Sequence, residues 1–172
     1  MPVEYRFDVV VVGAGHAGLE AALASARLGA NTALLTLHLD QLVAISCNPS
    51  IGGLGKSHLV AELDALGGEM GRLAALSAIQ YKLLNRSKGM AVWSLRAQID
   101  KYQYSRLARL TAERQKGLHL FQDSAQELCI EGGRLTGVRT ERGVLFRCRS
   151  AVLCTGTFLK GKITIGEYTA PG

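Results

Sequence analysis

Long apolar runs are missing from this sequence. None approaches the roughly 20 residues needed to cross a bilayer, although 48% of the 172 residues are hydrophobic. The first apolar stretch, Phe7 to Val12, runs straight into glycines, so it reads as a strand and not as a signal sequence. The expectation is a soluble, cytoplasmic chain with no membrane partner. Cysteine is scarce too. The four present, Cys47, Cys129, Cys148 and Cys154, are spaced by 82, 19 and 6 positions and match no paired C-x-x-C metal or redox motif. No metal site is expected, and in the cytosol no disulfide. Cys129, Cys148 and Cys154 stand in apolar, strand-like surroundings and read as small buried hydrophobes. Repeats and low-complexity tracts are absent, and the length suits one core and one domain.

What charge there is lies unevenly. The formal charge is +6 overall. Between Lys82 and Lys116 stand nine cations (82, 86, 88, 96, 101, 106, 109, 114 and 116) against Asp100 and Glu113, so this segment carries +7 and the rest −1. Such a segment is either a solvated helical face or a surface for a polyanion, nucleic acid or cofactor phosphate. Charge alone does not choose.

Along the chain, Phe7–Val12 is a β-branched, nearly apolar run suited to a central parallel strand covered on both faces. Gly13-Ala14-Gly15-His16-Ala17-Gly18 follows, then an Ala/Leu-rich helix to about Leu28 with Gly29 as its stop, then a strand over Asn31 to Leu35. This is a β-α-β unit. Asp40 to Lys56 reads as loop. Helices are expected over Ser57 to Leu66 and from about Gln98 to Arg114. Short strands come next, at His119–Phe121, Gln126–Ile130, Arg134–Thr140 and Val144–Arg149, the last two joined by a hairpin signal at Arg142-Gly143. Ala151–Cys154 then enters Thr155-Gly156-Thr157. The predicted fold class is α/β, a Rossmann-type FAD-binding domain with a parallel sheet, a glycine loop and a β-meander crossover. This layout resembles that of FAD-binding domains in which a β-meander replaces a crossover helix, and the likeness implies that the whole chain, 1–172, is a partial domain, incomplete at its C-terminus. Its Rossmann core is 1–36 and 118–172, with an inserted helical and loop segment at 37–117.

G-x-G-x-x-G alone is weak evidence, but here a buried strand precedes it and a helix follows. Gly13 permits the sharp turn, Gly15 leaves the backbone bare towards a pyrophosphate, and Gly18 lets helix and strand pack closely. The helix N-terminus offers free N–H groups and partial positive charge. The acid that commonly holds ribose hydroxyls after the second strand is missing. Thr36 stands there, and either its hydroxyl or Asp40 takes the role. Gly55-Lys56-Ser57 imitates the end of a phosphate-binding G-x-x-x-x-G-K-[ST] loop. Its first glycine would fall on Ser50, and no clear buried strand leads into it, so nucleotide hydrolysis is not expected.

More specific than the glycine loop is Ser46-Cys47-Asn48-Pro49-Ser50-Ile51-Gly52-Gly53-Leu54-Gly55-Lys56. With His58-Leu59-Val60, Asp64-Ala65-Leu66-Gly67-Gly68, Leu84-Asn85, Ser87-Lys88-Gly89 and Arg96-Ala97-Gln98 it resembles the MnmG (GidA) family of tRNA-modifying flavoenzymes. Matching segments run from FDVVVVGAGHAG to TGTFLKGKITIG, nearly the whole chain. Met90 stands where the family usually has proline, which removes a rigid φ.

The resemblance implies the amino-terminal, FAD-binding part of an enzyme that, with an MnmE-type GTPase, adds a carboxymethylaminomethyl-type group to C5 of the wobble uridine of certain tRNAs. It further implies NADH as reductant, methylenetetrahydrofolate as one-carbon donor and a homodimer in full-length form. By matching position, Gly13, Ala14, Gly15, His16, Ala17 and Gly18 would hold the FAD pyrophosphate. Ala125 would meet the adenosine end, and the Cys47 loop would lie towards the flavin. Thr36, Thr155 and Gly156 are further expected cofactor contacts. Cys47 sits in a polar loop before glycines and Lys56, where an exposed thiolate could act as nucleophile or redox relay. Lys88 and Arg96 would contact flavin or RNA phosphate, or be ordinary surface charges. The competing readings are a catalytically inactive, stand-alone dinucleotide-binding module and a small oxidoreductase unrelated to RNA. The Cys47 loop and Ser87-Lys88-Gly89 argue against the latter.

Overall fold

The chain opens with a short strand, Glu4–Arg6 (β1), and then Val9–Val12 (β2), whose four valines form the middle of a parallel sheet. The computed structural model describes residues 3–45 and 48–171. After β2 come helix α1 (His16–Arg27) and strand β3 (Thr32–Thr36). An excursion follows: β4 (Ser50–Gly52), α2 (Ser57–Ala65), α3 (Met70–Leu76), β5 (Ala78–Leu84), β6 (Ser94–Ile99) and α4 (Lys101–Arg114). The chain returns through β7 (Leu118–Gln122) and the strands β8 (Ala125–Glu131), β9 (Arg134–Thr140) and β10 (Leu145–Arg147). It finishes with β11 (Ser150–Leu153) and a hairpin of β12 (Lys162–Ile165) and β13 (Tyr168–Pro171).

Four strands, in the order β11-β2-β3-β7, make the central sheet, and all pair in parallel. Side chains alternate across a strand, and each face of this sheet has its own cover. Val11 and Leu34 point to α1 and α4, where Leu19, Leu23, Tyr104, Ala108 and Ala112 are buried. The i, i+4 spacing of Leu19 with Leu23, and of Tyr104, Ala108 and Ala112, puts each set on one helical face. Val10, Ala33 and Leu35 point the other way, against Val138 and Phe146 of the second sheet, β1-β10-β9-β8, and against Cys148 just after β10. Phe146 meets Phe121 edge-on at 4.9 Å between centroids, and Phe7 and Tyr5 stand around them. A strand buried on both faces needs a continuous apolar run, which is why β2 reads VVVV.

Several boundaries differ from the expectation. The run Phe7–Val12 yields a strand only from Val9, because Phe7 and Asp8 turn the chain between the two sheets. Segment 37–117, expected as helix and loop, also holds a three-stranded antiparallel sheet, β4-β6-β5. The helix expected from Gln98 begins at Lys101, since Asp100 caps it: its Oδ1 accepts from Tyr102 N (2.9 Å) and Gln103 N (3.0 Å). Of the three cysteines expected to be buried, only Cys148 is; Cys129 and Cys154 are half-buried. A strand does precede Gly55-Lys56-Ser57, but β4 is three residues long, half-buried and antiparallel to its neighbour.

An ionic cluster fastens the excursion to the core. Glu20 of α1 accepts from the backbone N–H of Glu69 (2.9 Å) and Met70 (2.7 Å), placing a carboxylate at the start of α3. Glu69, itself buried, pairs with Arg27 of α1 and with Arg72 (2.6 Å). Among the described residues no helix is long and apolar enough to cross a membrane.

Candidate functional site

The glycine loop leaves β2 with Gly13 at φ +98°, a conformation that glycine adopts without strain. Gly13 N donates to Leu35 O (2.8 Å), which ties the turn to β3. A Cβ on Gly13 would overlap the Cys154 carbonyl, and one on Gly18 would overlap the Gly13 carbonyl. Both glycines are therefore demanded by backbone contacts inside the protein. Gly15 is different. A Cβ there would meet nothing within 4 Å among the described residues, and its φ of −71° is ordinary, so no contact among them requires a glycine at this position.

Gly15 is also the N-cap of α1, with no side-chain cap and no acid in the first turn. The first bond of the helix runs from Leu19 N to Gly15 O (2.9 Å), so the N–H groups of His16, Ala17 and Gly18 have no intrahelical acceptor. Together with the partial positive charge of the helix end, they form an anion cradle. The His16 ring packs on Tyr104 (5.6 Å between centroids), and its buried Nε2 has no hydrogen-bond partner among the described residues. Burial lowers the His16 pKa. Burial, and secondarily the charge of Glu20, holds the Tyr104 hydroxyl protonated.

The other expected cofactor residues gather at the same edge. Gly13, Thr36 and Thr155 lie at or just past the carboxyl ends of β2, β3 and β11, and Ala125 lies just past that of β7. Thr155 N is 3.5 Å from where a Gly13 Cβ would be, so the 155–156 turn, with Gly156 at φ +58°, abuts the glycine loop. From β2 the chain moves to β3 on one side and later to β11 on the other, which makes the β2/β11 gap the topological switch point where open α/β sheets bind ligands. Thr36 is bound into this edge: its carbonyl accepts from Asp123 N (3.0 Å) and its hydroxyl donates to His38 O (3.4 Å). Asp40 is held elsewhere, by Arg109 at 2.6 Å. Sequence reasoning missed Asp123, an acid with a nearly buried side chain just past β7. Its signal was its place after an apolar strand.

Val43 N donates to Ala14 O (2.9 Å), and Ser105 Oγ donates to Leu42 O (2.6 Å), so the segment after β3 is stitched to both the glycine loop and α4. Between that segment and α4 lies an open cleft of ≈ 440 Å³, with Asp40, Ile45, Tyr102 and Arg106 among its walls. Cys47 lies outside the described residues. Lys88 sits in a single helical turn, 86–88, after a left-handed Asn85, and Arg96 sits on β6. Met90, in the proline position, is exposed in the next turn. The basic segment thus divides among α4, the β4-β6-β5 sheet and the turns beside them. Burial raises the thiol pKa of Cys148 and of Cys154, so neither favours the thiolate.

A family model described as glucose inhibited division protein A matches residues 8–172. A tRNA uridine 5-carboxymethylaminomethyl modification enzyme MnmG of Treponema denticola is 53% identical, over 97% of this chain and 28% of its own length. The crystal structure of Aquifex aeolicus GidA in form II superposes with a TM-score of 0.91 at 47% identity, over 97% of this chain and 28% of that one. A probable FAD-dependent monooxygenase of Pseudomonas aeruginosa, pqsL, shares the fold alone, with a TM-score of 0.64 at 15% identity, over 89% of this chain and 43% of that one. The chain spans 28% of the length of the first two relatives.

Proposed function

The chain belongs to the glucose inhibited division protein A family, and from that footing we propose that it is the FAD-binding part of a flavoenzyme that modifies C5 of the wobble uridine in tRNA. The observation that carries this reading is the uncapped start of α1, opening at the switch point of the sheet with free space above Gly15. The donor set fits a diphosphate: three helix-start N–H groups, a bare glycine and no acid in the first turn. When bound, FAD supplies the redox chemistry of the modification.

The chain's own residues bind and orient. Gly15 admits the diphosphate to backbone distance, and the N–H groups of residues 16–18 donate to it. Thr36, whose carbonyl accepts from Asp123 N, and Ala125, two residues beyond Asp123, would frame the adenosine end. Thr155 and Gly156 close the opposite side of the glycine loop. Cys47 would serve as nucleophile or redox relay. In the same reading NADH is the reductant, methylenetetrahydrofolate the one-carbon donor, an MnmE-type GTPase the partner, the full-length protein a homodimer, and the compartment the cytoplasm.

The test is spectroscopic. The purified chain is mixed with FAD, freed of excess by gel filtration and scanned. A near-stoichiometric flavin band that Gly15→Ala abolishes supports the reading, and a band that Gly15→Ala leaves intact overturns it. For Cys47, wobble modification by the full-length enzyme carrying Cys47→Ser should be lost.

A further inference from the structure

The three strands of the excursion sheet hold two cations and no acid. The two cations face each other, for Lys82 of β5 pairs in register with Arg96 of β6. Directly opposed residues of an antiparallel pair share a face with Cβ atoms about 4.5–5.5 Å apart, and like charges so placed destabilise the sheet. Among the described residues no ion pair or side-chain hydrogen bond includes either one. Lys82 is exposed and Arg96 half-buried, its stem lying 3.9 Å from where a Gly53 Cβ would be.

Their surroundings on that face are neutral. The neighbouring rows in register are Ser50, Gln98 and Gln80 on one side and Ser94 with Leu84 on the other, none of them charged. The third member of the cations' own row is Gly52, which has no side chain. A repulsive pair with a gap beside it, and with no carboxylate paired to it among the described residues, is poorly explained as part of the folded chain alone. It is well explained if an anion from outside sits between the two cations.

We propose that Lys82 and Arg96 form a clamp for a phosphodiester of RNA on the polar face of the β4-β6-β5 sheet. The occupant follows from charge and context. Arg86 and Lys88 continue the positive charge into the turn after β5. The two glutamines add neutral donors of the kind that contact phosphate and sugar without reading bases. The choice of RNA rests on the tRNA reading above, because the 53% identical relative is named for tRNA uridine.

The clamp makes two effects of opposite sign. Removing one cation relieves the repulsion and removes a phosphate contact. The experiment compares the chain with Lys82→Gln, with Arg96→Gln and with Arg134→Gln, a control at the exposed first residue of β9. Binding of a labelled anticodon stem-loop RNA is followed by fluorescence anisotropy across a salt series. Each clamp variant should bind about 5- to 10-fold more weakly, with the log–log salt slope reduced by about 1, while the control stays within about twofold. Without RNA, Lys82→Gln should melt about 1 °C higher than the parent chain. Unchanged RNA binding, or a loss equal to the control's, overturns the clamp. So does displacement of RNA by saturating FAD, which would assign the pair to the cofactor's own diphosphate. Flavin spectra of the same samples separate the two readings: failure of the parent chain to take up FAD sinks the cofactor site and leaves the clamp standing.

Discussion

Gly18 packs against Gly13 so closely that a Cβ at position 18 would fall on the Gly13 carbonyl. The contact joins the first turn of α1 to the end of β2, and no flexible side chain is there to yield. Gly18→Ala should therefore force helix from strand, costing about 3 kcal/mol or more. Thermal unfolding would show it as a fall of roughly 6–12 °C for a chain of this size. A variant melting within about 1 °C of the parent would refute the packing role.

Gly15→Ala should behave in the opposite way. Its Cβ meets no described residue and its φ is allowed, so the stability cost is that of a poorer N-cap, under about 1 kcal/mol. The methyl group would stand where a diphosphate must approach, so FAD affinity should drop at least about tenfold, read by titration of the flavin absorbance. A folded variant with parental affinity would mean that the cofactor lies elsewhere.

The contrast between these glycines shows what could be read before the structure. The strand–loop–helix order, the two-faced burial of β2 and the meander were legible, because each is written in local periodicity and in turn residues. Asp100 was legible in principle as a helix cap, being followed two and three positions on by the N–H groups it accepts from. The alternation Ile79-Gln80-Tyr81-Lys82-Leu83 was a strand signal hidden inside a charged segment. Other features were not legible, because their partners are remote. β1 pairs with β10 across about 140 residues of sequence, and Cys154 closes on Gly13 from the far end of the chain. The gathering of Thr36, Ala125 and Thr155 at one edge follows from strand order, which periodicity does not encode.

Glu69 is the hinge of another remote arrangement. Its buried carboxylate meets Arg27 and Arg72 while its own N–H donates to Glu20 (2.9 Å), so one residue joins α1 to α3 through charge and backbone together. Glu69→Gln keeps the shape and removes the charge. Because both arginines are partly exposed, the loss should be modest, about 1–2 kcal/mol, or roughly 2–8 °C in melting temperature. The difference from the parent should shrink in high salt. A variant as stable as the parent at low salt would show the cluster to be incidental.

His16 supplies the pH dependence. Its ring is packed on Tyr104 with Nε2 unpartnered, and burial depresses its pKa below the ordinary 6.5. The unfolded chain therefore takes up a proton first as the medium is acidified. Above about pH 6.5 both states hold a neutral ring, and stability is indifferent to this group. Between that value and the depressed one, protons favour the unfolded chain, so stability falls as pH falls. Below the depressed value the loss stops growing. His16→Phe, which keeps an aromatic ring against Tyr104, should flatten that part of the pH–stability curve measured by denaturant titration. The His16 ring protons, followed by NMR in the cofactor-free chain, should titrate below a free histidine peptide. If they titrated at or above the peptide's midpoint, the ring would be in contact with solvent or an acceptor, and its fit under the start of α1 would have to be redrawn.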